Sequence, residues 1–185
     1  MHIFFLKKFF FVDNFEPNLI KIQDKNTSII YRNYEKKNII NDLIKLKYFC
    51  KKKKYNLFLS NDIKLALKLR LNGAYIPSFN KKFDHLSYSL RKDFILLGSA
   101  HNVKEINIKK KQKVKKIFIS SLFKKNKNYL GLNKYKILIK RFNYNFVALG
   151  GINKFNFKKL KLANINEFAG INCFKKKAPK KGPLK

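Results

Sequence analysis

The sequence predicts a compact α/β chain, a (β/α)8 barrel in a single domain. Three observations lead there. Short β-branched or aromatic runs alternate along the chain with longer stretches of helical hydrophobic period. The repeat length is about 20 residues, room for the helical crossover that parallel strands need. The strands number eight, and eight such units close a barrel. A doubly wound open sheet is the alternative, but no GxGxxG follows the first strand to support it.

Each element has its own signal. "FFFVD" (9–13) reads as the first strand, and "FEPNLIKI" (15–22) as a short helix with Pro17 in its first turn. "SIIYRN" (28–33) is the second strand. "IINDLIKLKYFCKKKKY" (39–55) is an amphipathic helix, with Ile40, Leu43, Ile44 and Lys47 on adjoining turns. "NLFLS" (56–60), "GAYIPS" (73–78), "FILLGSA" (94–100) and "KKIFISS" (115–121) read as strands three to six. Helices are expected between them at 62–72, 81–92 and 103–113. The rest reads helix 132–143, strand "NFVALGGI" (145–152), helix 154–164 and strand "EFAGINCF" (167–174). The barrel is expected over 1–175, with a lysine- and proline-rich tail without fixed structure at 176–185.

Composition agrees with one packed domain. The 185 residues are 45% hydrophobic, with 19 Phe and 9 Tyr, too apolar for a disordered chain despite a net charge of +34. Lysine supplies every cation except Arg32, Arg70, Arg91 and Arg141. An AT-rich coding bias that inflates solvated lysine is one reading of this charge. Polyanion binding is the other. The lysines are spread over the whole chain, which favours the first and argues against nucleic acid as a partner. The two cysteines, Cys50 and Cys173, form no CxxC, so neither a zinc site nor a disulfide framework is expected. The start "MHIFFLKKFFFVDNF" has no small-residue cleavage site and reads as a first strand. No run approaches about 18 apolar residues, so no membrane helix is expected, and a reducing cytoplasm is the expected compartment.

The strand ends collect the chemistry. In a (β/α)8 barrel the site lies at the C-terminal ends of the strands, and phosphate is often held after strands seven and eight. Gly150 and Gly151 end the seventh strand. Glycine lets a backbone N–H approach a phosphate oxygen, or it merely permits a tight turn. Asp13, Glu35 and Asp62 are the acids at or just beyond strand ends. Asp62 suits a hard Mg2+ that bridges to substrate phosphates, or else a helix N-cap. His101 is either a general base or a helix-start residue. His85 reads as structural or solvated, and Cys173 as core.

Four stretches carry a resemblance. "LFLSNDIKLALKLRLNGAYIP" (57–77) resembles the "IINDxxxLAxxxxAxGxHLG" segment of the thiamine phosphate synthase family, which includes the thiazole tautomerases. "ILLGSAHNVKE" (95–105) resembles its "IIGxSxHxxxE". "FVALGGINKFNFKKLKLANINEFAGINCF" (146–174) resembles "VVAIGGIxxxNxxxxxxAGAxGVAVISAI". "IIYRNYEKK" (29–37) resembles the second-strand "VQLREK" stretch. The matches run in order over nearly the whole chain.

The resemblance implies a transferase of thiamine biosynthesis that joins hydroxymethylpyrimidine diphosphate to thiazole phosphate and releases pyrophosphate, with Mg2+ as cofactor. It implies that Lys36, Asn61 and Asp62 meet the diphosphate, with Asp62 on the metal. Ser99 stands for the serine after the fifth strand. Gly151, beside Gly150, stands where the family contacts the thiazole phosphate, with Ile171 and Asn172 in the eighth-strand phosphate loop. The chain also departs from the pattern. Arg32 stands where the family has Gln and Tyr34 where it has Arg. Asn80 replaces a second metal-binding Asp, and Tyr75 replaces a His. "SSLFKKNKN" (120–128) replaces "GPVFxTxTK", leaving Lys124, Lys125 and Lys127 to attract anions. Ser121 replaces the tautomerase histidine, which argues against that activity. Three readings stand: an active synthase, a degenerate paralogue binding or acting on another phosphorylated heterocycle, and a basic nucleic-acid-binding protein.

Overall fold

The computed structural model describes residues 7–36, 38–171 and 173–174. The tail expected at 176–185 and the candidate Asn172 lie outside them. The strands are β1 (Lys7–Val12), β2 (Thr27–Tyr31), β3 (Leu57–Ser60), β4 (Gly73–Ile76), β5 (Ile95–Ala100), β6 (Lys116–Ile119), β7 (Phe146–Leu149) and β8 (Glu167–Gly170). They close a barrel in chain order, and every neighbouring pair is parallel, β8 with β1 included. The (β/α)8 expectation holds. Among the described residues no helix is long and apolar enough to cross a membrane.

The period of two divides the core into two layers. Phe9, Phe11, Ile30, Phe58, Tyr75, Leu97, Phe118, Val147 and Ala169 fill the lumen. Their neighbours, such as Phe10, Val12, Ile29, Leu57, Ile117 and Phe168, face the helices. Aromatic rings pack the lumen edge to face: Phe9 on Phe118 at 4.9 Å, and Tyr75 on both Phe11 and Phe118 at 5.3 Å. The barrel is a packed core rather than a pore, so chemistry is left to the rim.

Six α-helices lie between the strands: α1 (Pro17–Lys21), α2 (Ile40–Lys53), α3 (Ile63–Lys68), α4 (Val103–Lys111), α5 (Gly131–Lys140) and α6 (Phe157–Leu162). Two have sequence-encoded starts. Asp62 caps α3 by accepting from the Leu65 N–H at 2.9 Å. Asn102 caps α4 by accepting from the Glu105 N–H at 3.0 Å. Glu105 reaches back to the His101 N–H, one residue before the cap, at 2.8 Å.

One expected helix does not form. The stretch 81–92 holds only a single 3-10 turn at Asp84–Ser87. Its carbonyls are used otherwise. Ser87 Oγ donates to the Asp84 carbonyl at 2.7 Å, and the Lys82 carbonyl accepts from Gln112 Nε2 of the α4 C-terminal turn at 2.7 Å. Long-range partners replace the helical ladder.

Candidate active site

All eight strands end at one rim, because all are parallel. Period two brings Arg32, Ser60 and Ser99 toward the top of the lumen, directly above the aromatic layer that includes Tyr75. The Arg32 guanidinium lies 4.7 Å from the Phe11 ring centre, a cation held over an aromatic face. Tyr75 lies fully within the barrel, and burial pushes its phenol pKa up, with Ser99 and the Arg32 charge acting the other way. Tyr34, on the loop after β2, shares a 2.7 Å hydrogen bond between its hydroxyl and Ser60 Oγ. Burial raises the Tyr34 pKa, while the Ser60 hydrogen bond and the Arg32 charge act the other way. Its ring meets Phe79 edge to face at 5.7 Å.

The β3 end carries Asn61 and Asp62. Asn61 sits at φ 66, its N–H donates to the Tyr75 carbonyl, and its Oδ1 accepts from Asn80 Nδ2 at 2.8 Å. Asn80 Oδ1 accepts from the Lys82 N–H at 3.0 Å. Asp62 is exposed, with one carboxylate oxygen on the α3 cap and the other available. A cavity of about 400 Å³ opens here, lined by Asn61, Asp62, Phe79, Asn80, Asp84 and Tyr88 among others. Among the described residues no group of three or more His, Cys, Asp or Glu could hold a metal ion. A single available carboxylate fits Mg2+ nevertheless, since that ion is commonly held by one or two carboxylates, water and substrate phosphates.

Across the rim, Gly150 and Gly151 follow β7 at φ 100 and 74. The β6 loop lies against them. A Cβ on Gly150 would meet Ser121 Oγ at 2.7 Å, and one on Gly151 would meet the Lys124 nitrogen at 2.4 Å. Leu122 and Phe123 donate their N–H groups to the carbonyls of Leu149 and Gly150 at 2.9 and 2.8 Å. The Gly151 carbonyl accepts from Asn156 Nδ2 at 2.8 Å. The glycine pair therefore serves a close backbone approach between two loops. Lys124, Lys125 and Lys127 of the same β6 loop are exposed.

The structure separates some of the sequence candidates. Lys36 is exposed and its ammonium lies 2.7 Å from Asp42 Oδ2 on α2. Its loop is an Asx turn in which Asn33 Oδ1 accepts from the Glu35 and Lys36 N–H groups. Ile171 is half-buried beside Arg32 and Asp13 in a small cavity of about 60 Å³. His101 Nδ1 lies 2.9 Å from Glu105 Oε2, so it belongs to the α4 start. His85 is buried against the Gln112 carbonyl at 2.9 Å and is structural. Sequence reasoning missed Ser60 and Phe79. Ser60 was within reach, because alternation from Phe58 turns it into the lumen. Phe79 is an exposed loop residue without a periodic signal.

The sequence pattern of thiamine monophosphate synthase matches residues 18–174. The chain is 29% identical over 166 residues to a thiamine-phosphate synthase of Prochlorococcus marinus, an alignment covering 84% of this chain. It spans about half, 47%, of that curated relative's length. Its fold is similar to the thiamine phosphate pyrophosphorylase of Pyrococcus furiosus, with a TM-score of 0.71 at 16% identity over 90% of this chain and 86% of the other. The corresponding protein of Bacteroides thetaiotaomicron superposes with a TM-score of 0.59 at 15% identity, over 96% and 89% of the two chains. The family pattern runs through β2 to β8 and includes both the Asn61–Asp62 and the Gly150–Gly151 rims. The chain belongs to the thiamine monophosphate synthase family.

Proposed function

We propose that the chain joins hydroxymethylpyrimidine diphosphate to thiazole phosphate, releasing pyrophosphate and forming thiamine phosphate. The family match across residues 18–174 carries this reading. The diphosphate lies at the β3 end against Asn61 and Asp62, and the thiazole phosphate at Gly150, Gly151, Ile171 and Asn172. Asp62 would hold Mg2+ through its available oxygen. When bound, that ion neutralises charge on the leaving pyrophosphate.

The chain's own residues do the rest by position and charge. Arg32, fixed over Phe11, places a permanent cation above the lumen. Tyr34 and Ser60 present hydroxyls beside it, and Ser99 lies at the fifth strand end. Lys36 reaches the diphosphate by leaving Asp42, a change that an exposed ion pair makes at small cost. The packed aromatic layer below keeps water from entering through the barrel. We place the reaction in a reducing cytoplasm, consistent with two free cysteines.

The test is one assay of purified protein with both precursors and Mg2+. Thiamine phosphate above background, lost on chelation of the metal, is the expected result. A second reading, binding without turnover, draws on Lys36 being held by Asp42 and Asn61 by Asn80. Calorimetric binding of either precursor with no product would favour it.

A further inference from the structure

α4 carries an ammonium group in its buried face. Lys109 is fully buried. Its stem crosses Gly98 of β5, where an added Cβ would meet Lys109 Cδ at 3.0 Å. The Lys109 ammonium donates to the Pro77 carbonyl at 2.8 Å, the Asn80 carbonyl at 2.8 Å and Gln112 Oε1 at 2.9 Å. Three acceptors match its three donors. Gln112 is also fully buried. Its Nε2 donates to the carbonyls of Asn80 at 3.1 Å and Lys82 at 2.7 Å, and its own carbonyl meets His85 Nε2 at 2.9 Å. The loop from Pro77 to His85 is thus tied from below to the end of α4. Burial lowers the Lys109 pKa to about 8, with Glu105 acting the other way, so the group remains a cation at neutral pH.

A buried ammonium is costly unless fully paired, and apolar side chains alone can seat a loop on a barrel. The arrangement needs a reason, and the loop supplies one. Asn80 accepts from Lys109 through its main chain and donates to Asn61 through its side chain. Asn61 precedes Asp62 at the end of β3. We propose that Lys109 is a positioning residue that fixes the β4 loop from beneath, so that Asn80 holds Asn61 and Asp62 in place for an anionic, metal-bridged ligand. This role rests on the reading of Asn61 and Asp62 as the diphosphate end of the site.

Lys109→Met keeps the stem over Gly98 and removes all three donors. Hydrogen exchange of the intact chain is the first readout. Amides of 78–85 are expected to exchange about tenfold faster in the variant, with the β-strands unchanged. Unchanged protection of 78–85 overturns the proposal. Calorimetry with magnesium pyrophosphate is the second readout. Affinity is expected to fall about tenfold in Lys109→Met and in Asn80→Ala, and the double variant is expected to be no weaker than Asn80→Ala alone. Additive losses overturn the proposal, because a merely structural lysine would not share its effect with Asn80. If wild type binds no magnesium pyrophosphate, the functional reading fails and exchange alone decides the positioning role. If Lys109→Met does not fold, Gln112→Met takes its place. It removes two loop contacts and one Lys109 acceptor, and unchanged exchange at 78–85 would again refute the clamp.

Discussion

A methyl group on Gly151 would sit 2.4 Å from the Lys124 nitrogen, at a backbone φ of 74 that side chains avoid. Strain and clash act together there. Gly151→Ala is expected to lower unfolding free energy by about 3 kcal/mol, read by urea denaturation, with loosening of the β6 loop. A loss below about 1 kcal/mol would mean that the loop yields easily. Lys109 gives a second prediction at this scale. An unfolded lysine titrates near 10.5, whereas burial sets Lys109 at about 8. Between those values the unfolded chain holds the proton and the folded chain does not. Stability therefore rises with pH across that window, and the penalty is present in full below about pH 8. The wild-type stability, measured relative to Lys109→Met, is expected to climb by about 3 kcal/mol between pH 7 and pH 10.5. A flat difference would show that the folded group titrates normally.

Two helices, α3 and α4, begin where a side chain satisfies free backbone groups, and α3 shows how structure and chemistry share one residue. Asp62 caps the helix with one oxygen and leaves the other for a ligand. The two roles separate by substitution. Asp62→Asn keeps a good cap and is expected to change stability by less than about 0.5 kcal/mol, while Mg2+-dependent product formation falls at least a hundredfold. Asp62→Ala loses the cap as well, at a further cost of about 1 kcal/mol. Equal activity in Asp62→Asn and wild type would remove Asp62 from the metal site. The stretch 81–92 makes the opposite point. Nothing at its start caps a helix, since no side chain bonds back to the 3-10 turn's first residues. Its Lys82 carbonyl finds Gln112 instead.

The barrel as a whole is closed across its floor as well as along its strands. Lys116 of β6 donates to both carboxylate oxygens of Glu167 on β8, two strands away. Lys116 and Glu167 each lie two positions before a lumen residue, Phe118 and Ala169, and so share its face, which puts the pair in the bottom layer. Glu167→Leu is expected to destabilise the fold by about 3 kcal/mol, because it strands the Lys116 charge. Lys116→Met combined with Glu167→Leu is expected to recover most of that loss in the same denaturation experiment. No recovery would mean that the pair is worth its full attraction. The contrast matters in a chain of net charge +34, where few carboxylates exist to absorb so many cations.

Continuous apolar runs such as "FFFVD" and "SIIYRN" and the capping pattern at Asp62 are local features, and local features record burial. They were enough to determine the eight strands, the barrel and the placing of Gly150–Gly151 and Asn61–Asp62 at its rim. Resemblance of the motifs added the family. The tertiary structure decided what no window of sequence contains. Lys109 reads as one more solvated lysine in "VKEINIKKKQK", yet it is buried because oxygens 29 and 32 residues away, on Asn80 and Pro77, complete its hydrogen bonds. Ser60 meets Tyr34 across 26 residues, and Asn80 meets Asn61 across 19. Hydrogen-bond partners chosen across the closed barrel leave no period in the chain, so hydrophobic pattern specified the frame and only folding specified the contacts that furnish its site.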